Sequence, residues 1–345
     1  MSSCRTRLFS FVAGIALGLS LSGIAAAQGF PNKPVHIIVP FAPGGAFDVL
    51  ARVVAANLES QWHQTVIVET RPGAGSVIGT TAAARSSPDG YTLVLVANSL
   101  VINAKLRPNL PYDAIKGFEP IALLVNSPQV IVVGAASPYR TLKDWVDGAK
   151  AQPGTLSYAT VGPGTTQHIA GEMLQRAAGI KLVYVPFPGG APAVNALLGG
   201  HVGAVLGNLS EVNAQITAGK LRPLAVTTRE RLDDLKPVPT VAESGYPGYE
   251  AVVWCGISAP AGTPREAVAR IAESVGGAMK DPETRQRLAT LGFQPSYLGP
   301  ADFAAHIADM ARRHSHQGVW LREYLILKAL NHALNFHSNY TDSPD

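Results

Sequence analysis

The sequence predicts an α/β protein of two lobes, each a mostly parallel sheet flanked by helices. A β-branched run that ends in a glycine-rich turn and then switches to helical spacing recurs along the chain, at 35–54, 65–85, 156–178 and 181–193. These units fall in two blocks. The runs 118–125 and 129–133 lead from the first block to the second, and 249–259 leads back. Finally, 345 residues, 47% of them hydrophobic and 15% charged, suffice for two cores.

The first 27 residues stand apart. Arg5 and Arg7 precede an apolar stretch at 8–24, and Ala25-Ala26-Ala27 stands before Gln28. This is the pattern of a secretory signal peptide at 1–27, cleaved near Ala27, and it predicts export to a bacterial periplasm. The stretch is close to the shortest membrane span, but its glycines, serines and small-residue end favour cleavage over an uncleaved anchor. No cysteine follows the cleavage point, so no lipid anchor is indicated. Cys255 is then the one remaining thiol and reads as a small buried hydrophobe rather than a nucleophile.

The strand at 35–39 runs into Pro40-Phe41-Ala42-Pro43-Gly44-Gly45 and a helix at 47–60. Such a junction points the free N–H groups of the first helical turn beyond the strand's end, and the glycines let an anion approach them. No G-x-x-x-x-G-K-[ST] pattern follows, so the socket suits a carboxylate better than a nucleotide phosphate; a turn kept for geometry alone is the plain alternative. Asp48 complements the helix dipole by about 0.3–1 kcal/mol and can pair with Arg52, or it can orient water or a ligand ammonium.

After a strand at 65–69 the device repeats at Arg71-Pro72-Gly73-Ala74-Gly75-Ser76. The spacing is one residue longer than the dinucleotide fingerprint and does not match G-x-S-x-G, so Ser76 reads as a hydrogen-bond donor. A strand at 91–97 ends at Asn98-Ser99, and Asn98 is either a cleft residue or a turn former. Strands at 118–125 and 129–133 are expected on either side of Asn126-Ser127-Pro128, where the chain leaves the first lobe.

In the second block Thr141 caps a helix reaching Ala151, with Asp144 three residues on. The strand at 156–160 opens into Gly162-Pro163-Gly164-Thr165-Thr166-Gln167-His168, a counterpart of the first loop. His168 is either a helix-start residue or a ligand donor, and the hydroxyls of Thr165 and Thr166 favour the second reading. A strand at 181–186 meets Phe187-Pro188-Gly189-Gly190, and one at 202–206 ends at Gly207-Asn208. Further elements are a helix at 210–218, a strand at 221–227, a surface connection at 237–241, the returning strand at 249–259, helices at 264–279 and 282–290, and a last periodic segment at 300–310.

The net charge of +4 comes with no lysine and arginine cluster interleaved with aromatics, which excludes nucleic acid as a partner. The tail at 312–345 differs in character. His314, His316, His332 and His337 match no metal-ligand spacing, and a solvated tail is expected.

From about residue 30 to 310 the ordered motifs resemble the receptors of tripartite tricarboxylate transporters, also called Bug receptors. They are Pro40 to Gly45 with Asp48 and Ala51-Arg52, Arg71 to Gly75, Pro88-Asp89-Gly90-Tyr91-Thr92-Leu93, Pro186 to Ala193, and Pro239-Thr240-Val241-Ala242-Glu243. The resemblance implies a two-lobed periplasmic binding protein, type II-like, with one small organic acid in the inter-lobe cleft: a di- or tricarboxylate or an aromatic acid. It implies lobe 1 at 28–125 plus 250–311 and lobe 2 at 126–249, membrane permease subunits as partners, a monomer, and no cofactor, metal or catalysis. The ligand carboxylate would be gripped by Phe41, Gly44, Gly45 and Asp48, with Pro43 in the same loop. Gly75 and Ser76, then Thr165, Thr166, His168, Phe187 and Gly190, would complete the site, with Asn98 and Asn208 at strand ends.

Three departures qualify the match. Gly207 stands where an aspartate is common, which removes an anionic partner for a ligand amino group. Pro188 replaces a common lysine, and the usual C-terminal helix is not recognisable after Met310. The first two shift the expected ligand away from amino acids, towards an acid with a neutral or apolar remainder. An exported ligand sensor is the alternative output. A hydrolase using Ser76 or Thr165 with His168 lacks an ordered triad.

Overall fold

A computed structural model describes residues 29–107 and 109–312; the expected signal peptide, and the tail beyond Arg312, lie outside the described residues. In chain order the elements are β1 (Val35–Val39), α1 (Ala46–Trp62), β2 (Val66–Thr70), a 3-10 turn (Ala74–Ser76), α2 (Val77–Ala84), β3 (Thr92–Ala97), α3 (Ser99–Leu106) and β4 (Phe118–Gly134). Then come α4 (Leu142–Ala151), β5 (Ser157–Thr160), α5 (Thr166–Ala178), β6 (Val183–Pro186), α6 (Gly190–Leu198), β7 (Ala204–Asn208), α7 (Leu209–Thr217) and β8 (Leu221–Val226). The chain returns through β9 (Val252–Pro260), α8 (Arg265–Lys280), α9 (Pro282–Thr290) and β10 (Gln294–Leu298), with a helix α10 at 300–312.

The strands are ordered β2-β1-β3-β9-β4-β7-β5-β6, with β8 and β10 also paired to β4. β1 lies parallel between β2 and β3, and β5 parallel between β6 and β7. Every antiparallel pair includes β4 or β9. Two parallel triads are thus joined by two crossing strands. Parallel strands carry helices on both faces, and each triad accordingly has two cores. Around β1, Ile37, Leu50, Val54, Leu93 and Ile271 fill one face and Ile38, Val94, Leu100 and Phe303 the other. Around β5, Leu142, Trp145, Tyr158 and Leu174 fill one and Val130, Val194, Leu197 and Val205 the other.

The cap expected at Thr141 is present: its hydroxyl accepts from the Asp144 N–H at 3.1 Å, and the Asp144 carboxylate accepts from the Thr141 N–H at 2.9 Å. Cys255 is fully buried in β9, and burial pushes its thiol well above the ordinary range, as a small hydrophobe requires.

Three expectations are corrected, and one strand is added. The strands at 118–125 and 129–133 are one, because Asn126, Ser127 and Pro128 pair with Trp254, Val253 and Val252. Pro128 is tolerated because it holds the last register position on β9, just before Gln129 takes up Asn208 of β7. Asn98-Ser99 is no mere turn but the start of α3, whose apolar residues Leu100, Val101 and Ile102 are buried. The segment 237–241 is packed rather than superficial, with Val241 fully buried and Thr240 bridging Val226. β10 was not anticipated, since its pairing with β4 is irregular and Pro295 interrupts its pattern.

Candidate functional site

The site grows from one local rule applied five times: a strand ends, glycines allow a tight reversal, and a helix or 3-10 turn starts with first-turn N–H groups that its own backbone does not use. The five loops, at 41–46, 73–77, 162–168, 187–191 and 207–211, contain no lysine or arginine. Their ionisable side chains are His168 and Glu211.

Loops from the two sides of the crossing strands meet. The Ala42 N–H donates to the Pro188 carbonyl at 3.3 Å. A Cβ on Gly189 would stand 2.5 Å from the Ala42 Cβ, and one on Gly75 would stand 1.8 Å from the Pro163 carbonyl oxygen. Asn103 of α3 reaches both sides, donating to the Gly75 carbonyl at 2.9 Å with the Gly164 carbonyl at 3.5 Å. Bare backbone is therefore the condition for this approach.

In the first loop Phe41 is buried against Phe47, with ring centroids 4.8 Å apart, and Pro43 and Gly44 are exposed. Asp48 spends one oxygen on the Gly44 N–H at 2.8 Å and the other on Arg52 at 3.0 Å, so it braces the loop from within. The Ala46 N–H, the first of α1, donates at 3.4 Å to Glu211 Oε1 of the opposite side. Glu211 is partly buried, and its other oxygen accepts from the Asn208 N–H at 3.0 Å. Burial pushes the Glu211 carboxyl above its ordinary range, against the opposing pull of the Asn208 and Ala46 backbone donors.

The carboxylate also lies on Gly190, where a Cβ would be 2.0 Å from its Cδ, and beside Gly207, where a Cβ would be 3.4 Å from its Oε2. A carboxylate therefore stands beside Gly207 although position 207 itself carries none. Sequence reasoning missed Glu211; its signal was an acid three residues after a helix cap.

In the remaining loops, Ser76 donates to Ser99 at 2.8 Å, and Thr165 donates to the Gly162 carbonyl at 2.7 Å while capping α5. His168 is stacked on Tyr184, its Nδ1 accepts from the Gly164 N–H at 3.4 Å, and its Nε2 lies 3.9 Å from Glu172. Asn208 accepts from Gln167 at 3.2 Å, and Phe187 packs against the core beneath α6. Asn98 has both ends of its amide on β9, accepting from the Trp254 N–H at 2.8 Å and donating to the Val252 carbonyl at 3.2 Å.

The predicted residues therefore divide. Gly45, Gly190 and Asn208 converge around Glu211, Gly44 faces Ala191, and Gly75 meets the loop of Thr165. Asn98 and Thr166 instead line a cavity of about 760 Å³ along the crossing strands, with Ile169, Met173 and Trp254. Two further residues went unread. Ser127 Oγ and both amide atoms of Gln129, on fully buried side chains of β4, have no hydrogen-bond partner among the described residues. Gln129 lies opposite Asn208 in the ladder, so the two share a face.

A family model described as "Tripartite tricarboxylate transporter family receptor" matches residues 50–317. The protein BugT of Bordetella pertussis is 35% identical over 307 residues, covering 88% of this chain and 94% of that one. The structure of the periplasmic binding protein BugD is 35% identical with a TM-score of 0.80, over 82% of this chain and 96% of that one. A Rhodopseudomonas palustris protein solved with adipate is 30% identical with a TM-score of 0.80, over 83% and 96%.

Proposed function

Because the chain belongs to the tripartite tricarboxylate transporter receptor family, we propose that it is exported to the periplasm, captures a small organic carboxylate by lobe closure and delivers it to membrane permease subunits. Lobe 1 would comprise 28–125 and 250–311 and lobe 2 126–249, with β4 and β9 as the hinge, and the protein would work as a monomer. The observation that supports this reading is the meeting of five loops without lysine or arginine from the two sides of the crossing strands, beside a cavity that Arg229 and Arg231 also line. Helix N-termini and glycine amides attract an anion without the permanent ion pair that would hinder its release. The related protein solved with adipate supports a dicarboxylate as ligand.

The chemistry is binding rather than catalysis. Ser76 and Thr165 spend their protons on Ser99 and Gly162, and His168 is engaged within its own loop and helix. Signal peptide cleavage near Ala27 is checked by N-terminal sequencing of the secreted protein, which should begin at Gln28.

The test of ligand capture is thermal unfolding of protein begun at Gln28, with adipate, shorter and longer dicarboxylates, aromatic acids and amino acids. A ligand at about 100 times its dissociation constant adds about 2.7 kcal/mol and raises Tm. Gly189→Ala serves as the control. Gly189 sits at φ −179°, which alanine adopts freely, yet the new Cβ would collide with Ala42 across the cleft. The variant should fold normally and lose at least about tenfold in affinity. If no acid shifts the wild type, the carboxylate reading is wrong.

A further inference from the structure

We propose that Glu211 is an internal carboxylate latch, spanning the cleft from lobe 2 to the Ala46 N–H of lobe 1 and competing with the carboxylate of an incoming ligand for that seat. The inference rests on the receptor reading above and adds a regulatory and specificity element to it.

Glu211 is the third residue after the cap Asn208, and a capping-box role accounts for its Oε2, which accepts from the Asn208 N–H. It does not account for Oε1. That oxygen turns away from α7 and accepts from the first N–H of α1, a residue 165 positions away in the chain. The backbone is cleared to let it do so. Gly190, at the start of α6, leaves the room in which the carboxylate rests, since a Cβ there would lie 2.0 Å from Oε1 and 2.4 Å from Oε2. A single carboxylate therefore stands where the first turns of α1, α6 and α7 come together, in loops that hold no lysine or arginine.

That arrangement is what an organic anion would meet on entering the cleft. Two carboxylates cannot share such a seat while both are charged, because no cation in these loops offsets their repulsion. The ligand must displace Glu211 from Ala46 before the lobes close on it. The Asp48 carboxylate already takes the Gly44 N–H, so the Ala46 N–H is the contested donor in this loop. A latch engaged nine-tenths of the time weakens the apparent affinity for every carboxylate about tenfold and favours ligands that bind both lobes strongly enough to expel it.

Two variants test this, Glu211→Ala and Glu211→Gln; the second keeps the shape of the side chain if the first does not fold. Small-angle X-ray scattering without added ligand reads lobe separation, and calorimetric titration with adipate reads affinity. Adipate should bind both variants about tenfold more tightly, and Glu211→Ala, which keeps no acceptor for the Ala46 N–H, should show a larger radius of gyration than the wild type; Glu211→Gln keeps an acceptor and loses only the repelling charge. An unchanged radius together with unchanged or weaker adipate binding overturns the latch and leaves Glu211 as a helix cap or a partner for a ligand cation. Expansion of Glu211→Ala with no response of any form to adipate or other acids upholds the latch and overturns the carboxylate-receptor reading. Tight adipate binding by the wild type, with no expansion of Glu211→Ala and no gain in affinity in either variant, does the reverse.

Discussion

Glu211 ties proton affinity to folding. Its folded-state pKa is raised by burial above the ordinary carboxyl value of 4.5, so the folded protein holds that proton more firmly than the unfolded chain. The group's favourable contribution is complete below the unfolded value and disappears as pH rises through the folded one. Thermal unfolding of the wild type and Glu211→Gln between about pH 4 and 8 should show the variant gaining on the wild type as pH rises. A constant difference across that range would falsify the assignment. Gly44 and Gly75 were legible in the sequence because their necessity is local: both adopt positive φ, and turns of this kind announce themselves, whereas the room that Gly190 leaves for the Glu211 carboxylate is not a local requirement. Ser127 and Gln129 were not legible, because what makes them notable is the company brought to them by distant strands; Glu211 was legible as an acid three residues after a cap, but its reach to Ala46 was not. His168 and Asp48 were read with two alternatives each, and the structure gives both residues partners within their own loop and helix.

Asn98 links two elements. Its side chain satisfies the Trp254 N–H and the Val252 carbonyl, fastening the end of β3 to the start of β9. Asn98→Ala leaves both groups without that partner and should cost about 1–3 kcal/mol in urea unfolding, with adipate affinity little changed. If affinity collapses while stability holds, Asn98 contacts the ligand instead. Thr141→Ala, far from the cleft, should cost about 1 kcal/mol through the lost cap and leave binding untouched. Most helices and strands of the fold were legible from periodicity and caps. The continuous β4 was not, since Asn126-Ser127-Pro128 reads locally as a break and becomes strand only because β9 supplies the register. α3 was hidden similarly: its eight residues carry no side-chain cap hydrogen bond at Asn98 and little amphipathic pattern.

On the scale of the whole molecule, the chain crosses between its two halves along β4 and returns along β9, and these strands pair with each other from Phe118 to Pro128. The proposed closure would bend this ladder and leave the cores of both triads intact. Hydrogen exchange should therefore find the β4–β9 amides among the slowest in the protein, with or without adipate, while ligand slows exchange in the loops at 41–46 and 187–191. Rapid exchange along β4–β9 would contradict a persistent hinge. The same ladder encloses Cys255, in register with Val125 on one side and Ala97 on the other. A protein begun at Gln28 carries that thiol alone, so a thiol reagent in solution finds no target while the central sheet is intact. The rate at which the reagent is consumed becomes a clock for opening of the sheet, indifferent to the rocking of the lobes, and it separates unfolding from capture in one cuvette.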